Sequence, residues 1–372
     1  MEQDRAAYVE VDSSAVAHNV RALKALTRPG TLFMAVVKAD GYGHGALGVA
    51  RAALGAGADR LGVATVTEAV ELRAAGITAP LQLLSEPPAS TVETVIDNAI
   101  IPTVTTCGFA AALGRAAEAR GVEAAYHLKV DTGMNRIGVH AEEAHLVASA
   151  LRAFPGVQIE GVFTHFATAD VPGDWDFDTQ LERFRAAVER IRSEGIDPGI
   201  VHACNSAATV LHPEAHFDMV RCGIAIYGLS PALAADTLVD LRPAMRVAAR
   251  VTFVKKVAMG EGVSYGLTWR AAAPTTVATL PLGYADGVHR TLSNSFDVLI
   301  GGVRCAQVGR ICMDQLMVEV PDSVEVAEGT EAVLVGAQGG ERVTMEEIAE
   351  RAGTINYELA CSFGMRLPRI IS

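Results

Sequence analysis

In the stretch LFMAVVKADGYGHG, six apolar residues end in Lys38, and a glycine-dense loop carrying Tyr42 and His44 follows. A primary amine at the end of a buried strand can condense with an aldehyde or move a proton. Glycines beside it let the backbone approach a ligand closely. Polar residues close other apolar runs in the same way. Lys129 and Asp131 end YHLKVD with Arg136 just beyond, and His165 ends IEGVFTHF. Asn205 and Ser206 end IVHACNS, and Arg221 lies in MVRCGIAIYG ahead of Gly223 and Ile224.

An amine, an imidazole, a hydroxyl, a guanidinium and small residues offering backbone N–H groups suit an anionic aromatic aldehyde. Pyridoxal phosphate fits that description. It needs a lysine Schiff base, a partner for the ring, a partner for the pyridine nitrogen and a phosphate cup. Each residue also has a plainer reading. His165 equally suits a satisfied core histidine, and Asn205-Ser206 taken alone reads first as a cap for the next helix. The same hydroxyl and amides would bind phosphate at a helix N-terminus. Lys38 is harder to explain away, because a charge directly after six apolar residues is costly unless it is used.

The elements that must position these groups follow from periodicity. Eight short apolar runs read as strands: Leu32–Lys38, Arg60–Val66, Leu81–Ser85, Ile100–Val104, Tyr126–Asp131, Ile159–Phe166, Ile200–Ser206 and Met219–Gly228. Ala-rich amphipathic segments such as GFAAALGRAAEAR and DTQLERFRAAVERIRSEG separate most of them and favour helix. Continuous apolar strands alternating with helices predict a parallel sheet covered by helices, here an α/β fold with an N-terminal (β/α)₈ TIM-like barrel over residues 1–242. An open doubly wound sheet is the alternative. In such a barrel chemistry gathers at the carboxyl ends of the strands, where the residues above fall. From about residue 243 to 372 the pattern becomes strand and turn, which predicts a mostly antiparallel β domain. Helical spacing returns near VTMEEIAERAGT, where Thr344 and Glu347 have capping-box spacing. The first run, AYVEVD, has no place in the barrel count, so residues 1–11 are expected to pair with the β domain.

Bulk properties narrow the function. The chain has 372 residues, is 50% hydrophobic and carries a formal net charge of -12. That is core enough for two domains and too apolar for disorder. The acidic balance argues against nucleic acid or an anionic membrane as the main partner. No apolar run is long enough to span a membrane, and MEQDRAAYVEVD lacks an apolar signal core. The six cysteines are scattered without a CxxC pair, which suggests reduced thiols in a cytoplasmic protein and neither a disulfide frame nor a metal site.

The segment AVVKADGYGHG closely resembles the cofactor-lysine signature of alanine racemases. So do KVDTGMNRIGVH, EGVFTHFATAD, HACNSAA, VRCGIAIYG, VSYG, PLGYADG and VGRICMDQ, in order, across both predicted domains. The resemblance implies interconversion of L-alanine and D-alanine on pyridoxal phosphate, supplying D-alanine for peptidoglycan and so for the cell wall. It implies that Lys38 carries the cofactor and, once substrate displaces it, faces the α-hydrogen of the D-isomer. Tyr265, in VSYG, is implied as the second acid–base group, serving the L-isomer from the opposite face. Two groups are needed because one removes the α-proton and the other returns one from the far side. A tyrosine is a poor base at its reference pKa near 10 and needs a supporting neighbour. The resemblance assigns that support to His165, with Arg221 behind it.

Arg221 is also implied as the partner of the pyridine nitrogen. A guanidinium cannot readily give up its proton, so the pyridine would stay neutral and the electron sink weak, which limits transamination. Tyr42, Ser206 and the N–H groups of Gly223 and Ile224 would form the phosphate cup. Arg136 would contact the cofactor's phenolic oxygen and the substrate carboxylate, and Met313 would offer that carboxylate its backbone N–H. Tyr284 would narrow the active-site mouth, and Lys129 matches a lysine that some members carbamylate. The resemblance further implies a head-to-tail homodimer with shared active sites, in which Tyr265, Tyr284 and Met313 act on the partner's cofactor. The chain departs from the pattern at Met365, where some members carry a tyrosine. Three other readings compete: a serine or broad-specificity racemase, a non-enzymatic carrier of the cofactor, and a barrel-type decarboxylase. Arg221 argues against the last, because decarboxylation benefits from a protonated pyridine.

Overall fold

The structure is a computed structural model and describes residues 6–171, 173 and 175–372. It divides into two units, one of Val16–Gly41 with Ala46–Arg242 and the other of Met1–Ala15, Tyr42–Gly45 and Pro243–Ser372.

The first unit is a parallel barrel. Its strands in chain order are Leu32–Val36, Arg60–Val63, Leu81–Leu83, Ile100–Ile101 with Thr103–Val104, Ala124–Asp131, Val157–Phe163, Ile200–His202 and Met219–Cys222. The hydrogen-bonded order begins at Ile100–Ile101 and ends at Thr103–Val104. Those segments are two halves of one strand interrupted at Pro102, which has no N–H to give to the ladder. Counting them as one closes the order into eight positions and excludes the open-sheet alternative. Helices such as Cys107–Glu118 and Trp175–Ser193 cover the expected Ala-rich segments.

The strands end earlier than their apolar runs. Thr65 accepts the Glu68 N–H at 3.2 Å and caps the helix Val66–Ala74, so Val66 becomes helical where strand was expected. The Leu32–Val36 strand stops before Lys38, because Ala39, Asp40 and Gly41 take φ of 51°, 50° and 62°.

Paired positions in a parallel sheet share a face. Register therefore puts Arg60, Gln82, Thr103, His127, Lys129, His202 and Arg221 on the same side of the wall. Arg60 reaches Glu160 at 2.7 Å from a strand four positions away, so that side is the lumen. A barrel interior is usually packed with branched apolar side chains; this one sets those hydrogen-bonding groups among Met34, Phe163 and Met219 on the same face. Space for them comes from Gly161, where a Cβ would lie 2.5 Å from the His127 ring. Beside it the register slips, with Ile159 opposite Tyr126 but Gly161 opposite His127. Glu160 is the extra residue of this bulge.

The second unit is a mostly antiparallel sheet. Ala7–Val11 pairs antiparallel with Met245–Arg250 and parallel with Arg369–Ile371, which brings both ends of the chain together. Thr344 caps the helix Met345–Ala352 by accepting the Glu347 N–H at 3.1 Å. The Glu347 carboxylate does not complete the expected box: it turns to Arg304, at 2.8 and 3.0 Å. A two-point charged contact outweighs one return bond to the cap.

The Gly161→Ala substitution should force the His127 ring or the strand to move. A loss of about 1–3 kcal/mol is expected for such overpacking, read as a lowered melting temperature of the purified protein.

Candidate active site

Lys38 leaves the barrel wall on a left-handed turn. Each non-glycine residue in that conformation costs about 1–2 kcal/mol, so the turn needs outside support. Asp40 Oδ1 accepts the Ala46 N–H at 2.8 Å, and Val37 O accepts the Gly41 N–H at 3.0 Å. Glu68 accepts the N–H groups of Ala39, Ala64 and Thr65 at 2.7, 2.8 and 3.1 Å. Sequence reasoning passed over Glu68, although the Thr65-x-x-Glu68 spacing of a capping box was there to read.

Arg221 lies in the last barrel strand, Met219–Cys222, and is buried. Nη1 donates to His202 Nδ1 at 2.9 Å, and Nη2 donates to the carbonyls of Thr164 and Ala203, both at 2.9 Å. Nη2 also lies 3.3 Å from His165 Nδ1. Burial lowers the Arg221 pKa to about 10, which still leaves it charged at neutral pH. Burial, then the positive charges of Arg221, Lys129, Arg136 and Lys38, push the His165 pKa well down. His165 is thus a neutral ring that accepts on Nδ1 and keeps its proton on Nε2, ready to donate.

Lys129 is 5% exposed, with its Nζ 5.3 Å from the centre of the Phe163 ring. Burial, then Arg221 and Arg136, pull its amine down to about 7, so much of it is unprotonated at neutral pH. Arg136 lies exposed in a loop that Asp131 Oδ1 shapes, accepting the N–H groups of Gly133 and Asn135 at 2.9 and 3.1 Å. Asn205 takes the plainer role, as its Oδ1 accepts the Ala208 N–H at 2.9 Å and caps Ser206–Leu211. Ser206 Oγ accepts the N–H of Gly223 at 2.9 Å and of Ala225 at 3.4 Å, so the hydroxyl proton points elsewhere. The Gly223 amide is engaged with that hydroxyl.

Tyr42 belongs to the second unit, 8% exposed, with its ring centre 6.2 Å from that of Tyr357. Burial raises its pKa and keeps the phenol protonated. Tyr265 sits between residues of positive φ, Ser264 at 66° and Gly266 at 73°. Its side chain is 69% exposed and borders a cleft of ≈ 900 Å³ with Met313 and Cys312. Tyr284 and Met313 are exposed on interlocked loops: Tyr284 N–H donates to Cys312 O and Ala285 N–H to Met313 O, both at 3.0 Å. Arg366 ties these loops, reaching Asp286 at 3.5 Å and Asp314 at 2.7 Å. Met365 beside it is 93% exposed. Among the described residues no cluster of His, Cys, Asp or Glu could hold a metal, no helix is long and apolar enough to cross a membrane, and the cysteines are free thiols.

A (β/α)₈ barrel with a lysine and an arginine at its strand ends, followed by a mostly antiparallel β unit presenting a tyrosine, defines the barrel-type class of amino-acid racemases and their relatives. The family model for the alanine racemase N-terminal domain matches residues 11–231, and that for the C-terminal domain matches 244–371. The alanine racemase of Symbiobacterium thermophilum is 48% identical over 98% of this chain and 97% of its own length. That of Desulfovibrio desulfuricans is 46% identical over 99% and 98%. The crystal structure of alanine racemase from Bacillus anthracis with bound L-Ala-P superposes with a TM-score of 0.94 at 38% identity, covering 100% of this chain and 96% of that one. The enzyme from D-cycloserine-producing Streptomyces lavendulae gives 0.93 at 41%, covering 100% and 98%. The chain belongs to the alanine racemase family. It is an isomerase of that family, and the serine or broad-specificity alternative is not retained. The carrier reading also falls, because the C-terminal family model is present.

Glu68→Ala removes the acceptor of three amides around the Lys38 turn. It should destabilise the protein by about 1–3 kcal/mol, measured by urea unfolding.

Proposed function

We propose that this chain interconverts L- and D-alanine with pyridoxal phosphate carried on Lys38, as a homodimer in the cytoplasm, supplying D-alanine for peptidoglycan. The observation that carries this reading is the buried contact of Arg221 with a neutral His165 inside the barrel that bears Lys38. The residues fit the cofactor. Lys38, Lys129, Arg136 and Arg221 all bear on His165, a concentration of positive charge that an anionic ligand would offset. Ser206 keeps a hydroxyl proton for a phosphate oxygen, and the Gly223 amide, which donates to its Oγ at 2.9 Å, brings the neighbouring Ile224 amide to the same corner. Tyr42, held as a neutral phenol, keeps the phosphate-donor role that its motif implies. Asn205 acts by capping the helix that carries Ser206.

When bound, the cofactor withdraws electrons from the amino acid and acidifies its α-C–H. The chain's own groups do the rest. Lys38 Nζ exchanges the α-proton on the D-face, and Tyr265 Oη of a second copy exchanges it on the L-face. His165 Nε2–H, oriented by Arg221 on Nδ1, donates to that phenol and favours its ionised form. Arg221 keeps the pyridine nitrogen unprotonated and so suppresses transamination. Arg136 and the Met313 N–H hold the substrate carboxylate, and Tyr284 restricts the side chain to a methyl group. The exposed phenol of Tyr265 supports the head-to-tail dimer, since a general base works best out of bulk water. Lys129, with its amine pulled down to about 7, is suited to carbamylation: its nitrogen lone pair bonds the carbon of carbon dioxide and a proton leaves. The resulting anion would steady Arg136.

Two experiments test this. In deuterated water, L-alanine should yield D-alanine carrying α-deuterium. Lys38→Ala should abolish the reaction, and Tyr265→Phe should suppress exchange from the L-isomer by about 100-fold or more. Loss of both directions to one variant alone, with the other variant fully active, would refute the two-group assignment. Growth in ¹³C-labelled bicarbonate should give a carbamate resonance that Lys129→Ala removes; its absence would exclude the modification.

A further inference from the structure

Arg221 holds a charge inside the barrel with only neutral acceptors in contact, namely two carbonyls and two imidazoles. A hydrogen-bonded route from it to a carboxylate runs through rings. His202 Nε2 lies 2.8 Å from His127 Nδ1, and His127 Nε2 lies 3.1 Å from Glu160 Oε2. The direction of every bond in this line is forced. A guanidinium only donates, so His202 Nδ1 accepts from Arg221 and carries its proton on Nε2. That proton goes to His127 Nδ1, which leaves His127 protonated on Nε2 and donating to the carboxylate, which only accepts.

Both rings are fully buried, and burial pushes both below the usual imidazole range, so they are neutral. Burial alone would raise the Glu160 pKa, but hydrogen bonds from His127 and Arg60 outweigh it and hold it at about 2. Two backbone features serve this line. Gly161 vacates the space of the His127 ring, and the bulge at Glu160 turns that side chain into the lumen. Phe163 stacks on His202 at 4.8 Å with a 6° tilt and fixes its plane.

We propose that Glu160, His127 and His202 are positioning residues that act as the remote counter-charge of Arg221 and hold its remaining N–H edge on the cofactor's pyridine nitrogen. This rests on the reading that Arg221 faces that nitrogen. Aligned neutral imidazoles polarise one another, so the carboxylate is felt at the guanidinium without a direct ion pair, which would turn the guanidinium away. Outer partners of this kind typically change activity by about 10–100-fold when removed.

The test uses ¹⁵N-histidine-labelled holoenzyme. NMR should find His127 and His202 both as the Nε2–H tautomer; an Nδ1–H tautomer or an imidazolium at either ring overturns the proposal without any variant. Glu160→Gln should mix the His127 tautomers, slow racemisation by about tenfold or more and raise the fraction of turnovers lost to transamination. Glu160→Asp should recover part of the rate. Arg60→Met disturbs the same end of the barrel but keeps the His127–Glu160 bond, so its tautomers and transamination fraction should match the wild type. Equal damage from Arg60→Met and Glu160→Gln would mean a packing role only and would overturn the proposal. Arg221→Glu separates the two claims. If it leaves transamination unchanged, the reading of Arg221 fails, while the tautomers still decide the relay. If it raises transamination and Glu160→Gln does not, the relay fails alone.

Discussion

A guanidinium enclosed in a protein interior must have every N–H engaged and its charge answered, because desolvating it costs several kcal/mol. Arg221 engages Nη1 and Nη2 with neutral groups, and much of the barrel follows from this. Thr164 and Ala203 turn their carbonyls inward where their strands end. His202 and His127 occupy positions that a barrel normally fills with branched apolar side chains. Gly161 and the adjoining bulge exist on the same strand, one making room for a ring and the other supplying the carboxylate. The consequence reaches the chemistry through His165, whose ring is kept neutral and aimed by the same guanidinium.

The second constraint is the conformation of the chain after Lys38. Five successive residues, Ala39 to Gly43, have positive φ. Such a turn persists only because Glu68 and Asp40 take up its amides and those beside it. The strain fixes where Lys38 leaves the wall, so backbone geometry sets the point from which its side chain reaches out. Tyr265 is treated alike, set between two residues of positive φ on a short loop.

Much of this was legible in the sequence, because eight apolar runs separated by Ala-rich helices leave few folds, and because polar residues at strand ends stand out against apolar runs. Lys38, His165 and Arg221 were found that way. Asn205 shows the limit: an Asn-Ser pair reads equally as cap or ligand, and the side chain is a cap. The line from Glu160 through His127 and His202 was not legible. Its members sit inside strands, and what makes them a line is register between strands far apart in sequence, including one slip of a single residue. Asp286, buried where it accepts the Gly283 N–H at 3.0 Å beside Tyr284, was missed as well. Nothing in PLGYADG marks that acid as more than a turn residue.

The protonation state of the cofactor's ring nitrogen decides the account most directly. Holoenzyme reconstituted with pyridoxal phosphate carrying ¹⁵N in the ring should give the ¹⁵N resonance of an unprotonated pyridine that accepts a hydrogen bond, unchanged across the pH range in which Arg221 keeps its charge. A pyridinium resonance at neutral pH would contradict it. It would mean that Arg221 is not the donor at that nitrogen and that the polar lumen serves some other end.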